Sequence, residues 1–258
     1  MKKLIGIMFT ILTMMVILTG CGGGTENNTG DSSKEKKVLK MATSADFPPF
    51  ESYNEEGEFV GFDIDLAQAI ADELGYELEI QDMKFDGLIG ALQSNRVDIV
   101  LAGMSATEER KKNVDFSIEY HRSGEMFLTN ADKPVTSLEE LEGKLVGVQL
   151  GTIQEEGADV LKEEYSFEVK KVDSAAVLVQ ELLSGRVDVI YMDKQVATGY
   201  MEEHGLAGFD DPTTSSPGMA IAFPKGSDLV EKVNDILQTF QENGKLDELK
   251  DKWELEEG

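Results

Sequence analysis

The chain has 258 residues, 41% of them hydrophobic, and a formal net charge of −26 at neutral pH. This length suits two modest lobes or one large domain with the hydrophobic content of a globular protein. So large an acidic excess argues against nucleic-acid partners, which need lysine and arginine facing the phosphates. It mildly favours a neutral or cationic small partner, although a well-solvated secreted surface explains it equally well.

The first twenty residues have the order of a secretory signal peptide. Two lysines precede an apolar run over residues 4–18, and the run ends in Leu18-Thr19-Gly20-Cys21. The run is shorter than the roughly twenty residues that a membrane-spanning helix needs. Its end resembles the bacterial lipobox, which implies removal of residues 1–20 and a lipid on Cys21. An ordinary signal peptide with an incidental cysteine is the alternative.

Residues 21–37 are predicted to form a flexible tether. After Cys21 they consist of glycine and polar or charged residues, with no hydrophobic side chain that could pack against a core. With a lipid on Cys21, the rest of the chain would be held at the extracytoplasmic face of the cell membrane.

From Val38 onward, short apolar strands alternate with helical patterns, which predicts an α/β fold with largely parallel sheets. Strands are predicted over residues 38–42, 77–80 and 98–101. A helix with an apolar face ends at Gly75, and a second helix, capped by Asp86, precedes the third strand.

A similar unit recurs about ninety residues later. Residues 94–100 (Ser-Asn-Arg-Val-Asp-Ile-Val) match residues 184–190 (Ser-Gly-Arg-Val-Asp-Val-Ile), each after a leucine-containing helix. This indicates two lobes of like design. Chance similarity is the alternative, because turns reuse serine, glycine and asparagine.

The second unit begins after a break at residues 130–134, with a predicted capping box at residues 137–140 and a strand over residues 144–148. Two apolar strands, residues 125–129 and 219–223, flank it and are predicted to cross between the lobes. Lobe 1 therefore comprises residues 38–127 plus 220–258, and lobe 2 comprises residues 128–219.

Candidate binding residues follow the predicted strands, because ligands of open parallel sheets sit beyond the carboxyl ends of the strands. The strand ends give Ser44, Phe47, Gly103, Met104, Ser105, Gln149, Thr152 and Asp193, and the full candidate set adds Glu51, Phe85, Arg110 and Ile153.

Two charged candidates could hold opposite ends of a zwitterion. Arg110 follows a predicted helix start and could grip a carboxylate in bidentate fashion, while Asp193 could accept an ammonium group. The alternatives are a solvated arginine in a charged helix and an aspartate that only caps the helix beginning near Lys194.

Five motifs carry a family resemblance: residues 44–51 (Ser-Ala-Asp-Phe-Pro-Pro-Phe-Glu), 60–66 (Val-Gly-Phe-Asp-Ile-Asp-Leu), 85–89, 105–110 and 147–152. Their order, within a match from about Val38 to Trp253, resembles the polar amino-acid binding proteins, the family 3 solute receptors of ABC importers. The resemblance implies a periplasmic-binding-protein-like type II fold, with two α/β lobes closing about a two-strand hinge. It also implies a monomer that delivers a free L-amino acid to an ABC permease and its ATPase.

The resemblance also implies residue roles. The arginine matching Arg110 clamps the α-carboxylate, with help from the backbone at the position of Thr152. By the same resemblance, the α-amino group is held by Asp193, the carbonyl of Gly103 and the hydroxyl of Ser105. The ligand side chain lies between Phe47 and Phe85.

The ligand side chain is less well defined, because Ser44 stands where family members that bind basic ligands often have aspartate. Glu119 or Glu51 could replace that charge, and Gln149 resembles the amide of arginine and glutamine binders. Arginine or another basic or polar amino acid is therefore favoured.

Two other functions remain open. The same fold occurs in cyclohexadienyl-type dehydratases, but a general acid would have to be Glu119 or His121, without a clear partner. A ligand-sensing receptor is the other alternative. His121 and His204 are interpreted as surface or rim residues and form no metal set with the single cysteine, so no metal or cofactor is expected.

Overall fold

The computed structural model describes residues 36–213 and 216–256. The predicted signal peptide, Cys21 and the tether up to residue 35 lie outside the described residues.

The described elements are, in chain order, β1 (Val38–Thr43), β2 (Ser52–Tyr53), β3 (Phe59–Val60), α1 (Phe62–Leu74), β4 (Glu77–Asp82), α2 (Leu88–Gln93), β5 (Ile99–Val100), α3 (Glu108–Lys111), β6 (Asp115–His121), β7 (Glu125–Asn130), β8 (Leu145–Gln149), α4 (Ile153–Tyr165), β9 (Glu168–Val172), α5 (Ala175–Leu183), β10 (Val189–Asp193), α6 (Lys194–His204), β11 (Leu206–Asp210), β12 (Met219–Phe223), α7 (Leu229–Asn243) and α8 (Lys245–Lys252).

Ten of the twelve described strands form two five-stranded sheets, one in each lobe, and β2 and β3 pair with each other. The orders of the five-stranded sheets are β4-β1-β5-β12-β6 and β11-β7-β10-β8-β9. In the first sheet β1 pairs in parallel with β4 and β5, and in the second β8 pairs in parallel with β9 and β10. The predicted two-lobed α/β fold is confirmed.

Parallel pairing is less dominant than the sequence suggested. Strand β12 runs antiparallel to β5 and β6, and β7 runs antiparallel to β10 and β11. Both strands enter their sheet directly from the other lobe instead of through a helix. The helical crossover that usually joins parallel neighbours is therefore missing before these two strands.

The prediction that two apolar strands cross between the lobes is wrong. Residues 125–129 belong to β7, inside the second sheet, and residues 219–223 form β12, inside the first. The chain crosses instead between His121 and Glu125 and again between Asp210 and Met219. Residues 125–127 therefore belong to the sheet of the second lobe, where Phe127 packs with Val146 and Tyr191, and Met219 belongs to the sheet of the first.

Two predicted helix caps do not form. Asp86 lies inside a 3₁₀ turn, Phe85–Gly87, that leads into α2, and neither start has a side-chain cap. Ser137 precedes a 3₁₀ helix, Leu138–Leu141, also without a side-chain cap. The end of α1 is as predicted: Gly75 has the left-handed conformation and its amide donates to the last-turn carbonyls.

This topology brings the ends of β1, β5, β8 and β10 to the cleft between the lobes. The loops that follow them supply most of the candidate residues. Within the described ranges, no helix combines the length and apolarity needed to cross a bilayer.

Candidate functional site

A cavity lies between the lobes and is lined from both sides. Its lining residues are Ser44, Asp46, Phe47, Glu51, Phe85, Ala102, Gly103, Ser105 and Arg110 from the first lobe, and Gln149, Thr152, Ile153, Gln154 and Asp193 from the second. Every candidate from the sequence except Met104 is in this set.

Met104 is the misplaced candidate. Its side chain is 1% exposed and packs in the apolar core beside Leu88 and Val100, away from the cavity. Gly103, whose φ of +55° bends the chain, and Ser105 line the cavity on either side of it. The lining also includes Asp46 and Ala102, which follow predicted strands but are not in the candidate set, and Gln154, which the sequence analysis did not select.

Arg110 is held rigidly at one wall of the cavity. Its Nη1 donates to the carbonyl of Ser105 at 2.8 Å, and its Nη2 donates across the cleft to the carbonyl of Gly151 at 2.9 Å. Its guanidinium carbon lies 5.4 Å from the centroid of the Phe85 ring. Burial lowers the pKa of Arg110 to about 10, so it is charged at neutral pH and retains N–H donors for an anion.

The second lobe brings a helix N-terminus to the same region. Thr152 caps α4: its hydroxyl oxygen accepts from the amide of Glu155 at 3.2 Å, and its hydroxyl donates to the carbonyl of Gln149 at 2.7 Å. Gly151 has φ +79°, and a Cβ there would lie 3.0 Å from Cα of Asp86 in the first lobe. Glycine thus allows the lobes to meet beside Arg110, and an anion there gains the dipole of α4.

Asp193 both caps a helix and lines the cavity. Its Oδ1 accepts hydrogen bonds from Ser123 Oγ at 3.1 Å and from the amides of Gln195 and Val196 at 2.9 and 3.3 Å. All three bonds end on Oδ1, so Oδ2 can accept from a ligand. The capping alternative and a ligand role are therefore compatible.

Glu125 stands opposite Asp193 in the pairing of β7 with β10. It is buried and accepts hydrogen bonds from Gln154 and Ser216. Burial, followed by the negative charge of Asp193, raises the pKa of Glu125, and burial also raises that of Asp193. A cation bound at Asp193 would favour the ionised form of both carboxyl groups.

Glu51 is fully buried and lines the cavity, yet neither of its carboxyl oxygens has a hydrogen-bond partner among the described residues. Burial, then the charges of Asp63 and Asp46, raises the pKa of Glu51 well above its ordinary value. Nε2 of Gln149 is likewise buried and unpartnered within the described part of the chain. These are the polar atoms of the wall that a ligand would satisfy.

Two residues considered from the sequence lie elsewhere. Glu119 pairs with Arg122 and accepts from the amide of Gly218 at 3.1 Å, outside the cavity lining, so it does not replace the missing charge. His121 is 4% exposed and packs its ring against Phe50, so its interpretation as a rim residue is wrong. Burial lowers the pKa of His121 to about 4, which leaves it neutral.

The family model of the bacterial extracellular solute-binding proteins, family 3, matches residues 39–256. The chain belongs to this family. Among its relatives is the "Arginine-binding extracellular protein ArtP" of Bacillus subtilis (strain 168), which is 46% identical over 239 residues, 92% of each chain.

Solved structures of this family share the fold. The protein described as "An ancestral arginine-binding protein bound to arginine" is 42% identical, with a TM-score of 0.80 over 84% of this chain and 98% of that one. The "ancestral amino acid-binding protein AncCDT-1, a precursor of cyclohexadienyl dehydratase" is 36% identical, with a TM-score of 0.78 over 84% of this chain and 95% of that one. These likenesses confirm the predicted type II architecture.

Proposed function

We propose that this family 3 protein binds an L-amino acid with a cationic side chain, arginine in the first place, and delivers it to an ABC importer. The observation that carries the proposal is the charge distribution of the cavity. Three carboxyl groups, Asp46, Glu51 and Asp193, line it against one cation, Arg110, within the described residues. A ligand with two positive charges and one negative charge complements this wall.

Each charged group of such a ligand has a match. The α-carboxylate fits between Arg110 and the N-terminus of α4 at Thr152, where unused N–H donors converge. The α-ammonium fits Asp193 Oδ2 with the hydroxyl of Ser105 and the carbonyl of Gly103. This division supports the residue roles that the family resemblance implies.

The ligand side chain would run between aromatic rings toward an acid. Phe47 and Phe85 both line the cavity, and Phe85 already lies against the guanidinium of Arg110. Glu51 supplies the unpaired carboxyl group that Ser44 does not. A guanidinium between aromatic faces and a carboxyl group gains stacking and charge-assisted hydrogen bonds together.

The relatives support the choice of ligand class. The B. subtilis relative and the ancestral structure are both described as arginine-binding, at 46% and 42% identity. The dehydratase alternative loses the residues on which it depended, because neither Glu119 nor His121 lines the cavity. Turnover of prephenate or arogenate by the purified protein would contradict the proposal of a non-enzymatic receptor.

We further propose that the mature protein is a monomer, lipid-anchored through Cys21 at the extracytoplasmic face of the membrane. The lipobox-like sequence supports this anchor, and a receptor that feeds a permease and its ATPase benefits from being held beside them. Replacing Cys21 with alanine should release a protein that still binds ligand. Unchanged membrane fractionation of that variant would contradict the anchor.

Isothermal titration of ligand-stripped protein with each proteinogenic amino acid tests the binding proposal. Arginine should give the strongest binding, and Glu51→Gln should weaken it. Glu119→Gln is the matched control, because that glutamate lies outside the cavity lining and should leave the affinity unchanged. Absence of heat from every amino acid would refute amino-acid binding, and equal affinity for arginine and neutral residues would refute the cationic preference.

A further inference from the structure

Two buried carboxyl groups meet at the wall of the cavity without a cation beside them. Glu51 lines the cavity and Asp63 of α1 lies next to it, and both side chains are fully buried. Apart from each other, the two groups have few hydrogen-bond partners among the described residues: Glu51 has none, and Asp63 is bonded only through Oδ2. Such a pair is unusual, because buried carboxylates are normally paired or fully hydrogen-bonded.

The groups around Glu51 do not neutralise it. The charged groups that act on it are further acids, Asp63, Asp46 and Asp193, from three different elements. Tyr120 of β6 contributes only a hydroxyl, and that hydroxyl donates to Asp63. The neighbouring His121, also on β6, is neutral at physiological pH because burial depresses its pKa.

Arg110, the cation of the lining, is engaged elsewhere. Two of its N–H groups donate to the carbonyls of Ser105 and Gly151, and its plane lies against Phe85. An ionised Glu51 would thus be a buried charge without a counter-ion. The favourable alternative in the empty cavity is for the carboxyl group to keep its proton.

The hydrogen bonds decide which acid carries that proton. Oδ2 of Asp63 accepts from the amide of Gly103 at 2.8 Å and from the hydroxyl of Tyr120 at 2.9 Å, and these bonds stabilise its ionised form. Glu51 receives no comparable bond. The proton therefore belongs to Glu51, and Asp63 acts on it as a positioning residue.

We propose that the Glu51–Asp63 pair holds one proton in the empty cavity and releases it to solvent when a cationic side chain binds. This proposal rests on the proposed function and states what happens to the proton when the ligand binds. The O–H bond of Glu51 breaks and the proton goes to bulk water. The guanidinium or ammonium group of the ligand then balances the charge of the carboxylate. A neutral side chain leaves the proton in place. The pair thus adjusts the charge of the cavity to its ligand.

The test is calorimetric titration of ligand-stripped protein at neutral pH in buffers with different ionisation enthalpies. The dependence of the observed heat on the buffer gives the number of protons released per ligand. Arginine is compared with citrulline, which replaces the guanidinium by a neutral group of the same shape, and with glutamine. All three share the α-ammonium, so any proton released by the Asp193 and Glu125 pair is common to them and cancels in the comparison.

Binding of arginine should release about one proton more than binding of citrulline or glutamine. Below the pKa of the pair, the affinity of the protein for arginine should fall by up to about tenfold for each unit of pH decrease. Glu51→Gln should abolish the excess proton while leaving the common release unchanged. Asp63→Asn retains an oxygen for Gly103 and Tyr120 and offers Glu51 an N–H donor, so the excess should shrink.

Equal proton release by arginine and the neutral ligands would overturn this proposal while leaving arginine binding intact. The same conclusion follows if the excess proton persists in Glu51→Gln. Absence of arginine binding itself would refute the proposed function instead, so the two failures are distinguishable.

Discussion

Asp193 gives the sharpest test of the site, because the structure assigns it two separable tasks. Its Oδ1 caps α6 through the amides of Gln195 and Val196, and Oδ2 remains for the ligand ammonium. Asp193→Asn preserves a capping oxygen and removes the charge. Asp193→Ala removes both.

The expected magnitudes differ accordingly. Loss of one partner of a buried charge pair costs about 2 kcal/mol or more, so Asp193→Asn should weaken arginine binding by at least roughly 30-fold. Its ligand-free melting temperature should be unchanged or higher, since repulsion of Glu125 is relieved. Asp193→Ala should bind as weakly and, relative to Asp193→Asn, should lose about 1 kcal/mol of stability with its cap, a decrease of roughly 2–4 °C in melting temperature.

Titration calorimetry with arginine and differential scanning calorimetry without ligand measure the two effects separately. Asp210→Asn is the matched control: its carboxylate is 57% exposed in a surface pair with Lys194, so neither quantity should change. If Asp193→Asn binds arginine with the parent affinity, the ammonium does not contact Asp193. If Asp193→Ala melts at the same temperature as Asp193→Asn, which lacks the same charge, the cap contributes nothing.

Three further substitutions address other contacts. Arg110→Lys keeps a charge but loses the planar fork that donates to two carbonyls, so arginine affinity in calorimetry should fall at least about tenfold, and an unchanged affinity would contradict the bidentate role. The pKa of Glu125 is raised on folding, so the unfolded chain binds fewer protons and the ligand-free stability should fall as pH rises. Urea unfolding at pH 5 and pH 8 should show a smaller loss of stability in Glu125→Gln than in the parent. An equal loss in both proteins would contradict this reasoning. Asp46 accepts hydrogen bonds from the hydroxyl of Ser174 and the amide of Ala175 across the cleft. Asp46→Asn should therefore speed arginine dissociation about fivefold in stopped-flow experiments. An unchanged dissociation rate would show that this contact does not hold the lobes together around the ligand.

The cavity could be located from the sequence because it depends on a local rule. Residues after parallel strands meet at one edge of a sheet, and this rule selected Ser44, Gly103, Gln149 and Asp193 without knowledge of how the lobes pack. The same rule also selected Met104, whose side chain points into the core. The chain bends at Gly103, with φ +55°, and the position after a strand does not reveal such a bend.

Long-range pairing accounts for what the sequence did not reveal. An apolar strand such as residues 125–129 has the same pattern whether it crosses between lobes or lies within a sheet, and only its partners β10 and β11 decide. The contact of Asp63 with Tyr120 joins residues 57 positions apart, so neither the buried acid pair nor its missing cation could be inferred from spacing.

The two lobes share the recognition of each end of the proposed ligand. At the anionic end Arg110 comes from the first lobe and the start of α4 from the second, and Arg110 itself bonds to Gly151 across the cleft. At the cationic end Asp193 of the second lobe faces Ser105 of the first, both in one cavity. Neither lobe alone satisfies either charge, so a ligand gains its full contacts only where the lobes meet. Selectivity for a zwitterion therefore follows from closure, and the side-chain preference is left to Glu51 and its proton.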